Sequence, residues 1–316
     1  MKTLTLLDGT AFPAFGLGTW LSAPDAVYRA VRVAIERGYR HIDAAWIYLN
    51  EEEVGRGIGE AIAAGDVTRE DLWVTTKLWN DCHAPEHVQP ALERSLKLLG
   101  LDYVDLYLMH WPVALQHKVV RPKTAEQYLS LDECPLPPTW EAMAKLTESG
   151  LTKQVGVSNF SASKIAQIVD AVGVTPAVNQ IELHPYLQQD ALLAAMKARG
   201  IVATAYAPLG SGGRPAGMKR EDETSLLDDP TIAGIAARHG KSAAQVLIAW
   251  ALARGTAVIP KSTNADRIAA NLAATELELS PGDMQAIAGL DEGARYVDGG
   301  FWCTTGSPYT VDSLWA

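Results

Sequence analysis

The sequence predicts an α/β protein with a (β/α)8 TIM barrel, and three observations support this fold class. Apolar runs rich in β-branched residues recur eight times, patterns typical of amphipathic helices separate them, and a glycine follows several of the helices. Strands that alternate with helices form a parallel sheet, and eight such units close the sheet into a barrel. Because the 316 residues contain no linker-like stretch, we expect a single domain over residues 1–316.

Each element follows from its own local pattern. Residues 4–7 and 11–12 flank Asp8-Gly9, a pair that suits a type I′ turn, and so predict an N-terminal hairpin. The barrel strands are predicted at 15–19, 41–45, 72–77, 104–110, 154–158, 177–181, 201–207 and 257–260. Helices are predicted between them, for example at 26–37, 52–63, 88–99, 140–149, 163–172 and 191–199, and Gly38, Gly100, Gly150 and Gly200 mark helix ends.

Three segments interrupt this repeat of strands and helices. Residues 112–138 lack clear periodicity, and residues 209–229 are rich in glycine, proline and charge. Both follow the C-terminal ends of predicted strands, and loops of this length are commonly functional. The tail, residues 291–316, carries the aromatic side chains Tyr296, Phe301, Trp302, Tyr309 and Trp315. We therefore expect long loops around the C-terminal face of the barrel.

A doubly wound nucleotide-binding sheet is the competing fold, and the sequence disfavours it. That fold requires Gly-x-Gly-x-x-Gly in its first strand-to-helix turn. Gly16-Leu-Gly18 lacks the third glycine, and Gly55-Arg-Gly57-Ile-Gly59 lies inside a helical pattern with the wrong spacing. We expect both groups of glycines to serve close packing.

The composition excludes several classes of partner. The chain has 27 basic and 37 acidic residues, a formal net charge of −10, and no run of lysine or arginine, so neither nucleic acid nor an anionic membrane is expected. No stretch reaches the ~20 apolar residues of a membrane span, and the first apolar run is too short for a signal peptide. The cysteines Cys82, Cys134 and Cys303 show no metal-binding spacing. We expect a reduced, cytoplasmic protein that holds no metal ion and acts as a monomer.

Four polar side chains lie at or just after the ends of three predicted strands: Asp43, Tyr48, Lys77 and His110. The C-terminal strand ends of a barrel meet at one face, so we expect these side chains to form one cluster. A phenol beside an ammonium is a suitable acid for a carbonyl oxygen, because the ammonium stabilises the phenolate and lowers the pKa of the phenol. Asp43 would hold Lys77, and His110 would orient the substrate oxygen.

Taken singly, each of these residues has an ordinary structural explanation. Tyr48 alone suits a packing aromatic, Asp43 and Lys77 suit a structural ion pair, and His110 suits a core histidine. Their joint placement at successive strand ends favours chemistry over structure. The cluster indicates a carbonyl reductase.

Five motifs are distributed over essentially the whole predicted barrel. They are Phe15-Gly-Leu-Gly-Thr-Trp20, Gly38-Tyr-Arg-His-Ile-Asp43, Leu108-Met-His-Trp-Pro112, Gly156-Val-Ser-Asn-Phe160 and Ile259-Pro-Lys-Ser262. On these motifs the chain resembles the aldo-keto reductase family. The resemblance implies that Asp43, Tyr48, Lys77 and His110 are the catalytic tetrad. It also implies hydride transfer from a nicotinamide to a carbonyl carbon, with Tyr48 as the proton donor in reduction.

A second polar set lies at the remaining strand ends and suits a nicotinamide cofactor. Ser158, Asn159 and Gln180 offer amides and hydroxyls that can bind a carboxamide, which presents both a donor and an acceptor. The ring of Tyr206 can stack on a flat nicotinamide. The family resemblance implies the same positions.

Lys261, Ser262 and Arg267 lie at a strand end and the start of the following helix, where two cations and a hydroxyl form an anion site. This site suits the 2′-phosphate of NADPH or NADP+, and the resemblance implies phosphate contacts for Lys261 and Arg267. It also implies that Asn271 contacts adenine, whereas Ala270 replaces a family glutamate and removes one such contact. The remaining residues assigned to the cofactor are Thr19, Trp20 and, over the pyrophosphate, Leu209 and Ser211.

Tryptophans near the strand ends predict an aromatic substrate pocket. Such walls favour apolar carbonyl compounds and exclude water from the path of the hydride. Trp140 and Trp250 lie in predicted helices and are expected to serve packing. The residues assigned to the substrate are Trp20, Trp46, Trp79, His110, Trp111 and Trp302, the last in a tail that resembles the family's specificity loop.

Two other classes of function remain open at this point. A regulatory subunit that binds the cofactor without turnover is the first, and the intact tetrad argues against it. A metal-dependent barrel isomerase or hydrolase is the second, but His110 and Asp43 are the only clear candidate ligands at strand ends. Turnover of a test aldehyde would separate these alternatives from an NADPH-dependent reductase of small carbonyl compounds.

Overall fold

A parallel sheet of eight strands closes into a barrel in the computed structural model, which describes residues 2–219 and 223–316. The strands are β1 Thr3–Thr5, β2 Ala11–Pro13, β3 Leu17–Gly18, β4 His41–Asp43, β5 Trp73–Leu78, β6 Val104–Met109, β7 Ala114–Leu115, β8 Tyr128–Leu129, β9 Thr152–Ser158, β10 Val178–Glu182, β11 Val202–Tyr206 and β12 Ala257–Val258. The order in the sheet is β12-β11-β10-β9-β6-β5-β4-β3. Parallel bridges from Phe15 to Val258 and from Gly18 to Lys261 join its two edges, which confirms the predicted barrel.

Helices connect the strands on the outside of the barrel, and the six predicted ones are present. The helices are α1 Pro24–Arg37, α2 Glu51–Ala63, α3 Pro85–Leu99, α4 Leu136–Glu148, α5 Ala162–Val172, α6 Asp190–Lys197, α7 Pro230–His239, α8 Ala243–Ala253, α9 Ala265–Ala273, α10 Pro281–Ala288 and α11 Val311–Trp315. Several begin earlier than the apolar pattern indicates, because proline is tolerated in the first helical turn, as Pro24 and Pro85 are. Gly38 and Gly100 end their helices in the left-handed conformation.

The N-terminal hairpin is present, but its predicted turn type was wrong. β1 and β2 pair antiparallel, with Leu4 opposite Phe12. A type I′ turn needs a positive φ at both central residues, whereas only Gly9 of the Asp8-Gly9 pair has one, at 89°. The Asp8 carboxylate instead accepts hydrogen bonds from the Thr10 amide and hydroxyl, both at 2.9 Å, and so stabilises a wider turn.

Two glycines of the rejected nucleotide-binding pattern serve close packing, as predicted. A Cβ on Gly18 would lie 2.7 Å from the backbone oxygen of Ile259, across the seam that closes the barrel. A Cβ on Gly55 would overlap the backbone of Leu99, where α2 crosses the end of α3. Neither position has space for a side chain.

The long loops and the tail pack on one another at the C-terminal face of the barrel. Residues 112–138 form a small hairpin in which β7 pairs antiparallel with β8, and α4 begins before this stretch ends. The hydroxyl of Tyr309 accepts the Ala114 amide hydrogen at 2.8 Å and donates to the backbone oxygen of Leu129 at 2.6 Å. The tail is therefore fastened to both strands of this hairpin. Among the described residues, every helix is too short or too polar to cross a membrane.

Candidate active site

The four residues of the predicted tetrad come from three neighbouring strands. Asp43 ends β4, Lys77 lies near the end of β5, and His110 directly follows β6. Tyr48 lies on the short 3-10 turn Trp46–Tyr48 that follows β4. Because β4, β5 and β6 are adjacent in the sheet, their C-terminal ends bring these side chains together.

Asp43 and Lys77 form a buried ion pair. Lys77 Nζ lies 2.6 Å from Asp43 Oδ1 and donates to the backbone oxygen of Ala44 at 2.9 Å. The second carboxylate oxygen of Asp43 accepts a hydrogen bond of 2.7 Å from Gln180 Nε2. Each residue is 1% exposed, so the pair depends on these partners for the stability of its charges. Burial lowers the pKa of Lys77, while Asp43 opposes that shift.

Tyr48 is the phenol nearest to this ion pair, with its hydroxyl 3.5 Å from Lys77 Nζ. The sequence-based prediction that Lys77 lowers the pKa of Tyr48 is not met. Burial, and then the carboxylate of Asp43, raise the pKa of Tyr48 well above its ordinary value. The reason is that Asp43 neutralises the ammonium at 2.6 Å. The phenol therefore keeps its proton at neutral pH, which is the state that a proton donor requires.

His110 lies between Tyr48 and Trp79 and meets both rings edge to face, with centroid distances of 5.9 and 5.2 Å. Burial, and then the charge of Lys77, hold the pKa of His110 well below its ordinary value. The imidazole is thus neutral at neutral pH. Its Nδ1 is buried and has no hydrogen-bond partner among the described residues. A neutral imidazole of this kind can orient a polar ligand without adding charge.

The residues predicted to bind nicotinamide form a hydrogen-bonded shelf beside the tetrad. The Tyr206 hydroxyl donates to Asn159 Oδ1 at 2.7 Å, and Asn159 Nδ2 donates to the backbone oxygen of His110 at 3.0 Å. Ser158 Oγ donates to the backbone oxygen of Gln180 at 2.9 Å. Asn159 adopts a left-handed φ of 64°, a strain that residues of functional sites often carry. The shelf is therefore joined to the tetrad through Gln180 and Asn159.

The other residues assigned to the cofactor lie along the same face. Thr19 is fully buried and donates through its hydroxyl to the backbone oxygen of Asp43 at 2.8 Å. Trp20 is half-buried. Leu209 and Ser211 follow β11, and Ser211 has a left-handed φ of 48°. Thr19 thus supports the tetrad directly, while Leu209 and Ser211 lie where the predicted loop over the pyrophosphate begins.

The predicted phosphate site lies at the turn between β12 and α9. Lys261 and Arg267 are exposed, and Arg267 Nε lies 3.4 Å from Ser262 Oγ. Burial, and then the positive charge of Arg267, lower the pKa of Lys261. Neither cation forms a salt bridge with a carboxylate among residues 2–219 and 223–316. Two neighbouring cations in this state form a site that an anion would stabilise.

Two further positions on α9 were named from the sequence. Asn271 is buried at 5% exposure, and Ala270 is exposed. The Asn264 side chain caps the helix by accepting the Arg267 amide hydrogen at 2.9 Å. This bond satisfies one of the amide groups at the start of α9, which is then not available to a ligand. The side chains of Lys261, Ser262 and Arg267 are then the main donors at this turn.

An aromatic wall stands beside His110. Trp79, Trp111 and Trp302 lie in one apolar cluster, and the centroid distance from Trp302 is 5.6 Å to Trp79 and 6.1 Å to Trp111. Trp46 packs against this cluster, and the guanidinium of Arg94 covers its ring at 3.8 Å. Among the described residues, the ring of Trp20 contacts no other aromatic ring. The structure therefore gathers five of the six predicted substrate residues, and the place of Trp20 in the pocket stays a prediction.

Glu182 is a structural determinant of this wall that the sequence analysis missed. It ends β10, is fully buried, and accepts the amide hydrogens of Tyr296 and Val297 at 2.6 and 2.8 Å. His184 Nε2 lies 2.7 Å from the same carboxylate. Val297 belongs to the cluster of Trp302, so Glu182 fixes the start of the tail that supplies this tryptophan. The alternation of Gln180, Glu182 and His184 at a strand end was the available signal.

Comparisons with known proteins identify the family of this chain. The model of the aldo/keto reductase family matches residues 14–292. An aldo/keto reductase of Synechocystis sp. is 50% identical over 315 residues, which cover 100% of this chain and 96% of that protein. The aldo-keto reductase family 1 member A1 of Rattus norvegicus is 42% identical, and the match covers 94% of this chain and 91% of that protein. The protein of the same name from Homo sapiens is 43% identical, and the match covers 92% of this chain and 90% of that protein. The chain therefore belongs to the aldo/keto reductase family, whose members are oxidoreductases of carbonyl compounds.

Proposed function

We propose that this chain catalyses the NADPH-dependent reduction of aldehydes and ketones to alcohols, with Tyr48 as the general acid. The observation that carries the proposal is the assembled tetrad, in which a protonated phenol lies 3.5 Å from a paired ammonium. The phenol and the neutral imidazole of His110 are edge-to-face neighbours, so both can reach one carbonyl oxygen. A carbonyl oxygen in this position would receive a proton and a guiding hydrogen bond together.

Each residue of the tetrad has one task in this mechanism. When bound, NADPH supplies the hydride to the carbonyl carbon. Tyr48 delivers its hydroxyl proton to the carbonyl oxygen, and Lys77 stabilises the phenolate that remains. Asp43 holds Lys77 through the 2.6 Å contact, and Gln180 holds Asp43 from the other side. His110 positions the oxygen, and the tryptophan wall excludes water from the reacting atoms.

The residues present suit a phosphorylated nicotinamide cofactor. Asn159 and Gln180 offer amides, and Tyr206 offers a flat ring, next to the tetrad. The 2′-phosphate of NADPH carries up to about two negative charges. In a chain of net charge −10, a dedicated cationic site is needed to bind it, and Lys261 with Arg267 supplies one. We therefore place NADPH above NADH as the working cofactor.

The aromatic wall favours aromatic and medium-chain aldehydes over free hexoses. The hydroxyls of an open sugar would meet the rings of Trp79, Trp111 and Trp302, which offer few hydrogen-bond partners. Each poorly paired hydroxyl costs on the order of 1–3 kcal/mol. The proposed setting is the cytoplasm, which suits three cysteines that are free thiols, and the proposed working form is a monomer.

NADPH oxidation with a panel of carbonyl compounds tests this proposal. We expect saturable oxidation with benzaldehyde-like substrates, a lower kcat/KM with glucose, and a lower kcat/KM when NADH replaces NADPH. Binding of NADPH without turnover of any aldehyde would favour a regulatory subunit instead. A preference for glucose over benzaldehyde would contradict the substrate class but leave the reaction type intact.

A further inference from the structure

Three metal-binding side chains meet outside the tetrad, between the end of β5 and the loop of residues 112–138. A carboxylate oxygen of Asp81, the sulfur of Cys82 and a ring nitrogen of His117 all lie within 4.8 Å of one another. Asp81 and Cys82 belong to the short 3-10 turn Asn80–Cys82 and are only 3% and 2% exposed. His117 is exposed and comes from the loop. No metal-binding spacing is visible in the sequence here, because the donors belong to two separate segments.

The distances are close to those of a coordinated ion. Cys82 Sγ lies 3.4 Å from Asp81 Oδ1. Donor atoms of a tetrahedral zinc site stand about 3.5 Å apart, since the bonds to sulfur, nitrogen and oxygen are about 2.0–2.3 Å long. The largest separation in the cluster therefore needs to shorten by only about an ångström. The imidazole that must move is on the exposed side.

Two contacts hold the His117 imidazole against the buried donors. Its Nδ1 lies 3.1 Å from the backbone oxygen of Asp81. The ring of His87 stacks on it with a centroid distance of 3.6 Å and an interplanar angle of 15°. A metal-bound histidine is commonly oriented by contacts of this kind. These two contacts keep the imidazole beside the buried donors, so that a short shift of His117 brings all three ligands to one ion.

We propose that Asp81, Cys82 and His117 bind a divalent cation of the zinc class, with water as the fourth ligand. Thiolate, imidazole and carboxylate together favour borderline ions such as Zn²⁺ over Mg²⁺ or Ca²⁺. The Cys82 thiol releases its proton to solvent as the sulfur–metal bond forms. The guanidinium of Arg94 also faces this sulfur, and its positive charge opposes the binding of a metal ion there. Binding therefore needs both anionic ligands, Asp81 and Cys82.

A cation at this position would fasten the loop to the barrel. The described contacts between them already include the hydrogen bond from Trp79 Nε1 to the backbone oxygen of Val120, at 2.9 Å. Trp79 belongs to the aromatic wall, so a metal ion three residues farther along would stiffen that wall from outside. This inference is independent of the proposed reductase activity, because it concerns binding and loop order alone.

Titration of the purified protein with Co²⁺ tests the sulfur ligand directly. We expect saturable binding with a thiolate-to-cobalt charge-transfer absorption, which Cys82→Ser abolishes. Cys303→Ser is the matched control, because Cys303 is the more accessible thiol and should leave the absorption unchanged. An absorption that survives Cys82→Ser, or one that is lost in Cys303→Ser, would overturn the assignment.

Calorimetric titration with Zn²⁺ tests the other two ligands. His117→Gln changes an exposed side chain and should leave the fold intact, and Asp81→Asn keeps the shape of the buried one. Each should weaken Zn²⁺ binding by at least about tenfold, since even changes outside the ligand shell cost that much. Equal affinity in wild type and His117→Gln, or no saturable binding in wild type, would contradict the site.

Discussion

The tetrad and the proposed phosphate site carry charge in opposite ways. Asp43 and Lys77 are each 1% exposed, and every charged atom has a fixed partner. Lys261 and Arg267 are exposed, neighbour each other, and have no carboxylate partner among the described residues. The charges of the tetrad are balanced by protein partners, whereas the positive charges of the second region have no carboxylate partner among the described residues.

This difference indicates where each region obtains its specificity. Burial fixes the protonation states of the tetrad, because low-dielectric surroundings penalise charged forms and salt does not screen them. At the exposed turn, charge itself selects the ligand, and salt weakens the selection. Variants in the two regions should therefore differ in the size of their effects and in their response to pH and ionic strength.

The largest effect is expected at the half-buried phenol of Tyr48. Tyr48→Phe removes the proposed proton donor, and loss of one general acid usually costs ~10²–10⁴-fold in rate. We expect kcat to fall by this factor while the dissociation constant of NADPH changes little. Steady-state kinetics and fluorescence quenching measure the two quantities. A mutant with near-native kcat would remove Tyr48 from the role.

The second-largest effect on kcat is expected at the ammonium of Lys77. Lys77→Met removes the charge that stabilises the Tyr48 phenolate, so the pKa of the phenol should rise further and its proton should transfer more slowly. We expect kcat to fall on the order of 10²-fold and the alkaline limb of the pH–rate profile to move to higher pH. Because the pair is buried, added salt should not change the ratio of mutant to wild type. An unmoved alkaline limb would show that Lys77 acts only on structure.

Acid should destabilise β4, the buried strand that begins at His41 and ends at the tetrad residue Asp43. Burial lowers the pKa of His41 to about 4, and the unfolded value is about 6.5. Below pH 6.5 the unfolded state therefore binds a proton at His41 that the folded state does not bind. The free energy of unfolding falls as a result until the pH reaches about 4. His41 alone contributes a loss of about 2 kcal/mol at pH 5. Urea unfolding at pH 7 and pH 5 measures it, and a smaller loss is expected in His41→Gln. An equal loss in that variant would assign the acid sensitivity to other groups.

The smallest effect is expected at the exposed turn. Charge-assisted hydrogen bonds are worth roughly 1.5–3 kcal/mol, so Arg267→Ala should weaken NADPH binding by at least about tenfold. NADH binding should change little, and the difference should fade at high salt. Fluorescence quenching with both cofactors gives the dissociation constants. Equal losses for the two cofactors, or a wild type that prefers NADH, would exclude phosphate recognition at this turn.

The fold and the position of the tetrad could be predicted because both depend on local pattern. Alternating strands and helices specify the barrel, and the barrel brings its strand ends together, so Asp43, Lys77 and His110 had to be neighbours. Helix ends at Gly38 and Gly100 followed from the conformational freedom of glycine. These inferences need no knowledge of which side chains lie in contact.

Properties that depend on distant contacts could not be predicted. The pKa of Tyr48 rises because of its burial and of Asp43, and neither effect is visible in a strand-end pattern. Glu182 acts through the amides of Tyr296 and Val297, more than a hundred residues farther along. The turn of the N-terminal hairpin depends on a hydrogen bond that the Asp8 side chain accepts from the Thr10 amide. This local hydrogen bond competes with the predicted type I′ turn.

The seam that closes the barrel has a consequence for how the chain acquires its fold. Parallel bridges from Phe15 to Val258 and from Gly18 to Lys261 join the segments around β3 and β12, which come from opposite ends of the barrel sequence. Contacts between such distant segments require closure of a long loop and slow the folding reaction. Until residue 261 has emerged during synthesis, β3 remains an unpaired edge that can associate with other chains. Chain truncation before this point should therefore produce aggregation, and not a smaller active enzyme.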